Sequence, residues 1–155
     1  MTIYNGKRVI YMTVKQLSVF CENRPGRLSG ITRLLADNDI NIRAMSIADT
    51  KDFGILRLIV NDFEKTLQVF KDNDMAVTST NVLCIRLADK PGGLADAMEC
   101  LYKENISVEY MYAAFISETD ETAYLVLRVD KLDTAVTALE EGGFKLVSDD
   151  ELKKL

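Results

Sequence analysis

The sequence predicts an α+β protein of two β-α-β-β-α-β units in tandem, each an antiparallel sheet with two helices on one face. Three observations carry this expectation. First, the stretch ENRPGRLSGI at positions 22–31 returns as DKPGGLADAM at 89–98, with the two prolines 66 residues apart. Second, strand-period and helix-period apolar patterns follow these two landmarks in the same order. Third, 155 residues with 48% hydrophobic and 28% charged content suffice for two small soluble cores but not for a membrane span.

Aligned on Pro25 and Pro91, Leu28 falls on Leu94, Leu35 on Leu101, Ile40 on Ile106, Asn41 on Ser107 and Ile42 on Val108. Past the next strand the offset becomes 69, placing Val60 on Val129, Phe70 on Leu139 and Met75 on Phe144. About three extra residues near Ser117 to Glu121 account for the shift. The expected domains are 14–80 and 81–148. Residues 1–13 are expected to be an N-terminal extension, with Met12-Thr13-Val14 offering a second start point, and residues 149–155 a solvated tail.

In the first unit, Gln16 to Cys21 alternates weakly as a strand and Asn23 to Gly26 turns into a helix. Leu28, Ile31, Leu34 and Leu35 share one helical face. Asn38-Asp39 ends that helix. Asn41 to Ala48 and Gly54 to Val60 form a hairpin across the turn formers Asp49 to Asp52. Phe63, Leu67 and Phe70 mark a second helix, and Met75 to Thr80 closes the unit. In the second, Leu83 to Leu87 is the strand, and Leu94, Ala97, Met98 and Leu101 line the helix. Val108, Tyr110, Tyr112, Ala114 and Ile116 are expected on one side of a strand paired with Tyr124 to Val129. Leu132, Val136 and Leu139 mark the last helix, broken by Gly142-Gly143 before Phe144 to Val147. This element order is ferredoxin-like.

Composition narrows the chemistry. A net charge of −5 without a basic stripe argues against nucleic-acid binding. With no histidine, Ser-His-Asp and Cys-His nucleophilic sites and histidine-ligated zinc are excluded, which leaves enzymes a short menu. Cys21, Cys84 and Cys100 lack CxxC spacing and are expected to be reduced thiols in a cytoplasm. Neither a metal nor a cofactor is expected. The acids Asp49, Asp52, Glu118, Asp120 and Glu121 lack cation-ligand spacing and read as solvated hairpin loops. Tyr110-Met111-Tyr112 reads as sheet packing. An RNA-recognition sheet would need its aromatic and basic motifs. A metal-transfer module would carry CxxC where Asn23 and Pro25 stand. Arg24 and Arg27 leave a small acyl-phosphate hydrolase as a weaker option.

The Pro-Gly turns are candidate sites. Backbone N–H groups at a helix start have no partner within the helix, and the helix dipole adds roughly half a positive charge there. A small carboxylate suits such a place. The first turn carries Arg24 and Arg27 against Glu22. In the second, Asp89 offsets Lys90 and Gly93 replaces Arg27. Asp89 is expected to cap its helix and compete with a ligand.

A strand, then N-x-P-G-x-L, then a helix, then Ile-Asn-Ile resembles the ACT domain, a ligand-sensing module of amino-acid biosynthetic enzymes and regulators. The resemblance covers residues 14–148 twice over. It implies a free amino acid held at the interface of paired modules, the turn of one facing the second strand of its neighbour. Carried over residue by residue, Asn23, Pro25, Gly26, Leu28, Asn41 and Ile42 match in the first copy, with Arg24 and Arg27 beside them. In the second, Pro91, Gly92, Leu94 and Val108 match, while Asp89 and Ser107 replace asparagines and Gly93 follows the turn. A homodimer or larger homo-oligomer is expected, because the sheet faces and edges need covering. The resemblance implies a regulatory module and no enzymatic role, its output a partner protein such as an enzyme, an oligomer change or simple binding; the alternative is a non-catalytic accessory or scaffold subunit of an amino-acid biosynthetic enzyme with vestigial binding.

Overall fold

A computed structural model describes residues 12–49, 53–115 and 121–155 of the chain. They form two compact units: residues 15–80, and residues 81–155 joined by residues 12–14. Each unit is α+β and ferredoxin-like.

The first unit runs β1 (Val14–Glu22), α1 (Arg27–Asp37), β2 (Ile42–Asp49), β3 (Phe53–Val60), α2 (Phe63–Asp72) and the start of β4 (Val77–Ala88). β3 pairs antiparallel with β1 on one side and β2 on the other. The Phe20 N–H donates to the Ala76 carbonyl at 3.0 Å, setting the approach to β4 beside β1. Alternation sends Leu17, Val19, Leu56 and Leu58 to one face, where Ile31 and Leu35 of α1 and Phe63 and Phe70 of α2 complete the core. Leu67 packs against this core as expected, and Thr66 of α2 is fully buried beside it, its hydroxyl donating to the Asp62 carbonyl at 2.6 Å.

The second unit repeats this with the rest of β4, α3 (Gly93–Lys103), β5 (Val108–Ala113), β6 (Thr122–Val129), α4 (Leu132–Glu141) and β7 (Lys145–Leu146). β4 pairs with β6 and β7, and β6 pairs with β5. Leu83, Ile85, Leu127 and Leu146 meet Ala97 and Leu101 of α3 and Val136 and Leu139 of α4. Met12 packs against this core, and Thr13 and Val14 are buried. Residues 1–11 of the expected extension lie outside the described residues.

All four of these helices stop in the same way. The N–H groups of Ile40, Met75, Ile106 and Phe144 reach back to the carbonyls of Leu35, Phe70, Leu101 and Leu139 at 2.9–3.0 Å. Asp39, Asp74, Asn105 and Gly143 supply the positive φ that this ending requires.

Three expectations need correction. The strand ending the first unit and the strand opening the second are one continuous β4, because no turn former separates Thr80 from Leu83. A register shift between Val108 and Tyr110 inserts an extra residue into β5. Val108 therefore packs into the helix-side core opposite Val129, while Tyr110 and Tyr112 pair with Arg128 and Val126 on the other face. Ile116 lies outside the described residues, as do Asp52, Glu118, Asp120 and most of the three-residue insertion. Finally, the tail is helical. Asp149–Lys154 forms α5, started by a capping box in which Ser148 and Glu151 exchange hydrogen bonds, and Leu152 is buried.

Candidate functional site

Both Pro-Gly stretches form the same local structure. In Arg24-Pro25-Gly26-Arg27 the Arg27 N–H donates to the Arg24 carbonyl at 3.2 Å, and Gly26 has φ 83° and ψ −13°. In Lys90-Pro91-Gly92-Gly93 the Gly93 N–H donates to the Lys90 carbonyl at 3.1 Å, with Gly92 at φ 92° and ψ −22°. This is a type II turn, with proline at its second position and glycine at the left-handed third. Each glycine is also the helix N-cap, and its carbonyl receives the first helical bond, from Gly30 or Asp96, at 2.9 Å. The prolines thus precede the helix, and neither Asn23 nor Asp89 caps it. The expected competition from an Asp89 cap does not occur, because Gly92 holds the cap position and no side chain caps the helix.

The first turn borders a cavity of about 360 Å³, lined by residues 21–29 and Ile47. The N–H groups of Leu28 and Ser29, in the first turn of α1, make no backbone hydrogen bond among the described residues. Arg24 is held by Glu22 at 2.6 Å, so its charge is already answered. Arg27 is not: its Nε is buried without a hydrogen-bond partner. A buried donor in that state costs on the order of 1–3 kcal/mol until an acceptor arrives. Leu28 and Ile47 supply apolar wall, 40% and 44% exposed. Gly54 makes room for Ile47, since a methyl group on it would stand 3.3 Å from the Ile47 Cδ1. Cys21 closes the inner end, its thiol donating to the Gly54 carbonyl at 3.8 Å.

The second turn differs at two of these places. Gly93 occupies the Arg27 position and is buried. A methyl group on it would stand less than 3.0 Å from the Ala88 carbonyl oxygen, so α3 starts pressed against the end of β4. Repeat and register both place Ala113 where the first unit has Ile47: Ile47 opposes Leu56, and Ala113 opposes Leu125. Leu94 remains 39% exposed, matching Leu28.

Asn23, Arg24, Pro25, Gly26, Arg27 and Leu28 are brought together around one cavity. Asn41 and Ile42 are not in it. They lie at the far end of β2, where Asn41 and Asn61 exchange hydrogen bonds at 2.9 and 3.0 Å and Ile42 packs against the core. Ser107 and Asp130 repeat that exchange at 2.9 and 3.1 Å, and Val108 packs likewise. Asp89, Pro91, Gly92, Gly93 and Leu94 cluster at the second turn. The wall residues Cys21, Ser29 and Ile47 escaped sequence reasoning. Extending the 66-residue offset along β2 exposes Ile47 against Ala113 as a divergence at a strand end.

Among the described residues, no cluster of three or more acidic, cysteine or histidine side chains could hold a metal, and no helix is long and apolar enough to cross a membrane.

A family model described as an ACT domain pair matches residues 12–155. A crystal structure of a protein from Bacteroides thetaiotaomicron is similar at 40% identity and a TM-score of 0.85, covering 93% of this chain and 98% of that one. The ligand-free regulatory subunit of aspartate kinase from Thermus thermophilus matches at 9% identity and a TM-score of 0.60, over 84% and 93% of the two chains. Its counterpart from Thermus flavus matches at 12% and 0.57, over 83% and 92%. These two share the fold. No curated protein matches the chain in sequence.

Proposed function

The chain belongs to the ACT domain pair family, and from that premise we propose that it is a non-catalytic regulatory protein whose ligand is a free amino acid bound at the first turn. The cavity beside Arg27 carries this reading. It combines a buried unanswered guanidinium nitrogen, two free helix-start amides and an apolar wall in about 360 Å³. That volume lies at the lower end of small-molecule sites, which run roughly 300–1,000 Å³. The α-carboxylate would take the Leu28 and Ser29 amides and the Arg27 side chain, and the ligand side chain would lie on Leu28 and Ile47.

Binding that orders α1 against β2 would change the face this unit offers to a partner. The partner is a second copy of the chain, whose own β2 edge closes the cavity, or an enzyme of amino-acid metabolism. The regulatory subunits of aspartate kinase show that the fold serves such a role in other proteins.

A thermal-shift screen of the twenty amino acids tests the proposal. At a concentration about 100 times Kd, the expected gain is about 2.7 kcal/mol. Arg27→Ala should remove most of it. If none of the twenty moves the melting temperature at millimolar concentration, the accessory-subunit reading replaces this one.

A further inference from the structure

If an amino acid occupies the first turn, as proposed above, the residues around its side chain decide which one. Two cations and one carboxylate line the cavity, Arg24 and Arg27 against Glu22. Glu22 lies 2.6 Å from Arg24, so no carboxylate is left to receive a cationic side chain, and the formal balance of +1 repels one. Arg27 is matched by the ligand's own α-carboxylate, so a second carboxylate on the ligand finds no free cation in the lining. The charges leave room for a neutral side chain.

The wall facing the helix start is apolar, and its shape comes from three adjacent strands. Cys21 of β1 stands opposite Gly54 of β3, and Ile47 of β2 stands opposite Leu56, all on one face of the sheet. Ile47 leans diagonally over Gly54: a methyl group there would stand 3.3 Å from both its Cδ1 and its Cγ1. Glycine therefore sets the depth at which Ile47 rests. The Cys21 thiol is engaged by the Gly54 carbonyl, and its sulfur offers the cavity a small hydrophobic surface. Leu28 on α1 and Ile47 on β2 flank the recess from different elements, so a branched side chain covers both where a linear one covers one.

The second unit changes all three wall positions together. Register places Leu87, Ala123 and Ala113 where the first unit has Cys21, Gly54 and Ile47. A small floor under a large wall has become a larger floor beside a small one. The backbone common to both copies thus does not require the recess at Ile47.

We propose that Ile47, seated on Gly54, is the specificity-determining wall of the first site, and that the ligand is a branched aliphatic amino acid: valine, leucine or isoleucine.

Titration calorimetry of the full chain with these three, against alanine, threonine, phenylalanine, lysine and aspartate, tests it. One of the three should bind tightest, and alanine at least about tenfold more weakly, since a single methylene in an apolar pocket changes affinity by about 10–200-fold. Threonine should fall below its isostere valine by up to about 100-fold. Gly54→Ala, by pushing Ile47 into the recess, should weaken isoleucine more than alanine. Ile47→Ala, at a half-exposed strand-end position, should narrow the isoleucine-to-alanine preference at least about tenfold, and Ile47→Glu should move the preference to lysine. Tighter binding of any of the other five by the wild-type chain overturns the proposal and leaves amino-acid binding at the turn standing. An unchanged preference in both Ile47 variants does the same. If none of the panel binds at millimolar concentration the proposal falls, and the thermal-shift screen of all twenty decides whether amino-acid binding falls with it.

Discussion

Replacing Gly93 with alanine and Arg27 with alanine tests one repeat position in two settings, and opposite outcomes are expected. At Gly93 the new methyl group would stand less than 3.0 Å from the Ala88 carbonyl oxygen and 3.3 Å from its carbon. Those are backbone atoms of β4, held by the ladder to β6, so they cannot swing aside as a side-chain tip would. The start of α3 must shift, and overpacking of this kind costs about 1–3 kcal/mol. Alanine returns up to about 1 kcal/mol of helix propensity relative to glycine. With the clash at the upper end of its range, the net loss is about 2 kcal/mol, or roughly 4–8 °C in melting temperature for a chain of this size.

Arg27→Ala removes a side chain whose Nε is already unsatisfied, so it should leave stability within about 0.5 kcal/mol or raise it slightly. Its cost should fall on amino-acid binding, weakened at least about tenfold by loss of a charge-assisted contact. Urea unfolding reads the first quantity and calorimetry the second. A Gly93→Ala protein as stable as wild type would refute the argument that the second turn is closed by close packing. An Arg27→Ala protein that binds its amino acid normally would refute the assignment of the carboxylate to the first turn.

Gly26→Val and Gly92→Val should each cost about 1–2 kcal/mol, because both glycines hold positive φ although a Cβ would meet nothing within 4 Å; calorimetry should show a larger binding loss for Gly26→Val. Burial pushes the Cys84 thiol up to about 12, so folding holds its proton where the unfolded chain gives it up. Stability should be fully present below pH 9 and fall by about 1.4 kcal/mol per pH unit above it, a slope that Cys84→Ala removes in chemical denaturation. Glu151 is shifted the other way: its contribution is present above pH 4.5 and lost as pH falls through its lowered folded value, and Glu151→Gln should abolish that acid-side loss in a melting series. Light scattering should report at least a dimer of chains; a monomer with and without amino acid would rule out closure of the cavity by a second copy.

The architecture was legible because both units obey the same two periodicities around the same landmark. Ile31 and Leu35 recur as Ala97 and Leu101, and the paired strands recur around them. What escaped depended on single residues in three dimensions. One inserted residue in β5 turned Tyr110 away from the Val108 face, and nothing in the alternation of VEYMYA marks where it sits. The helix α5 was written in Ser148 and Glu151, a cap signal without an apolar run, and its single buried anchor, Leu152, gives no period to read. Asn41 and Ser107 stand at matched places in a motif, but the pattern does not show what they hold within their own unit. Their backbone exchanges with Asn61 and Asp130 show that both matched places fix the end of a hairpin.

A type II turn needs its proline and its left-handed glycine whether or not anything binds, so the presence of Pro-Gly in both copies is explained by folding alone. A duplicated unit keeps what its backbone requires and is free to change what it does not. The informative positions are therefore those where the copies diverge around an unchanged backbone. Arg27 against Gly93 decides whether the helix start carries a cation or presses on the preceding strand. Ile47 against Ala113 decides whether the turn faces an apolar wall. Both differences favour the first turn, and they arise from shape and charge at separate elements, α1 and β2. Removing both should remove binding: Ile47→Ala combined with Arg27→Gly should silence the first site in calorimetry, while the Pro-Gly turn itself remains intact.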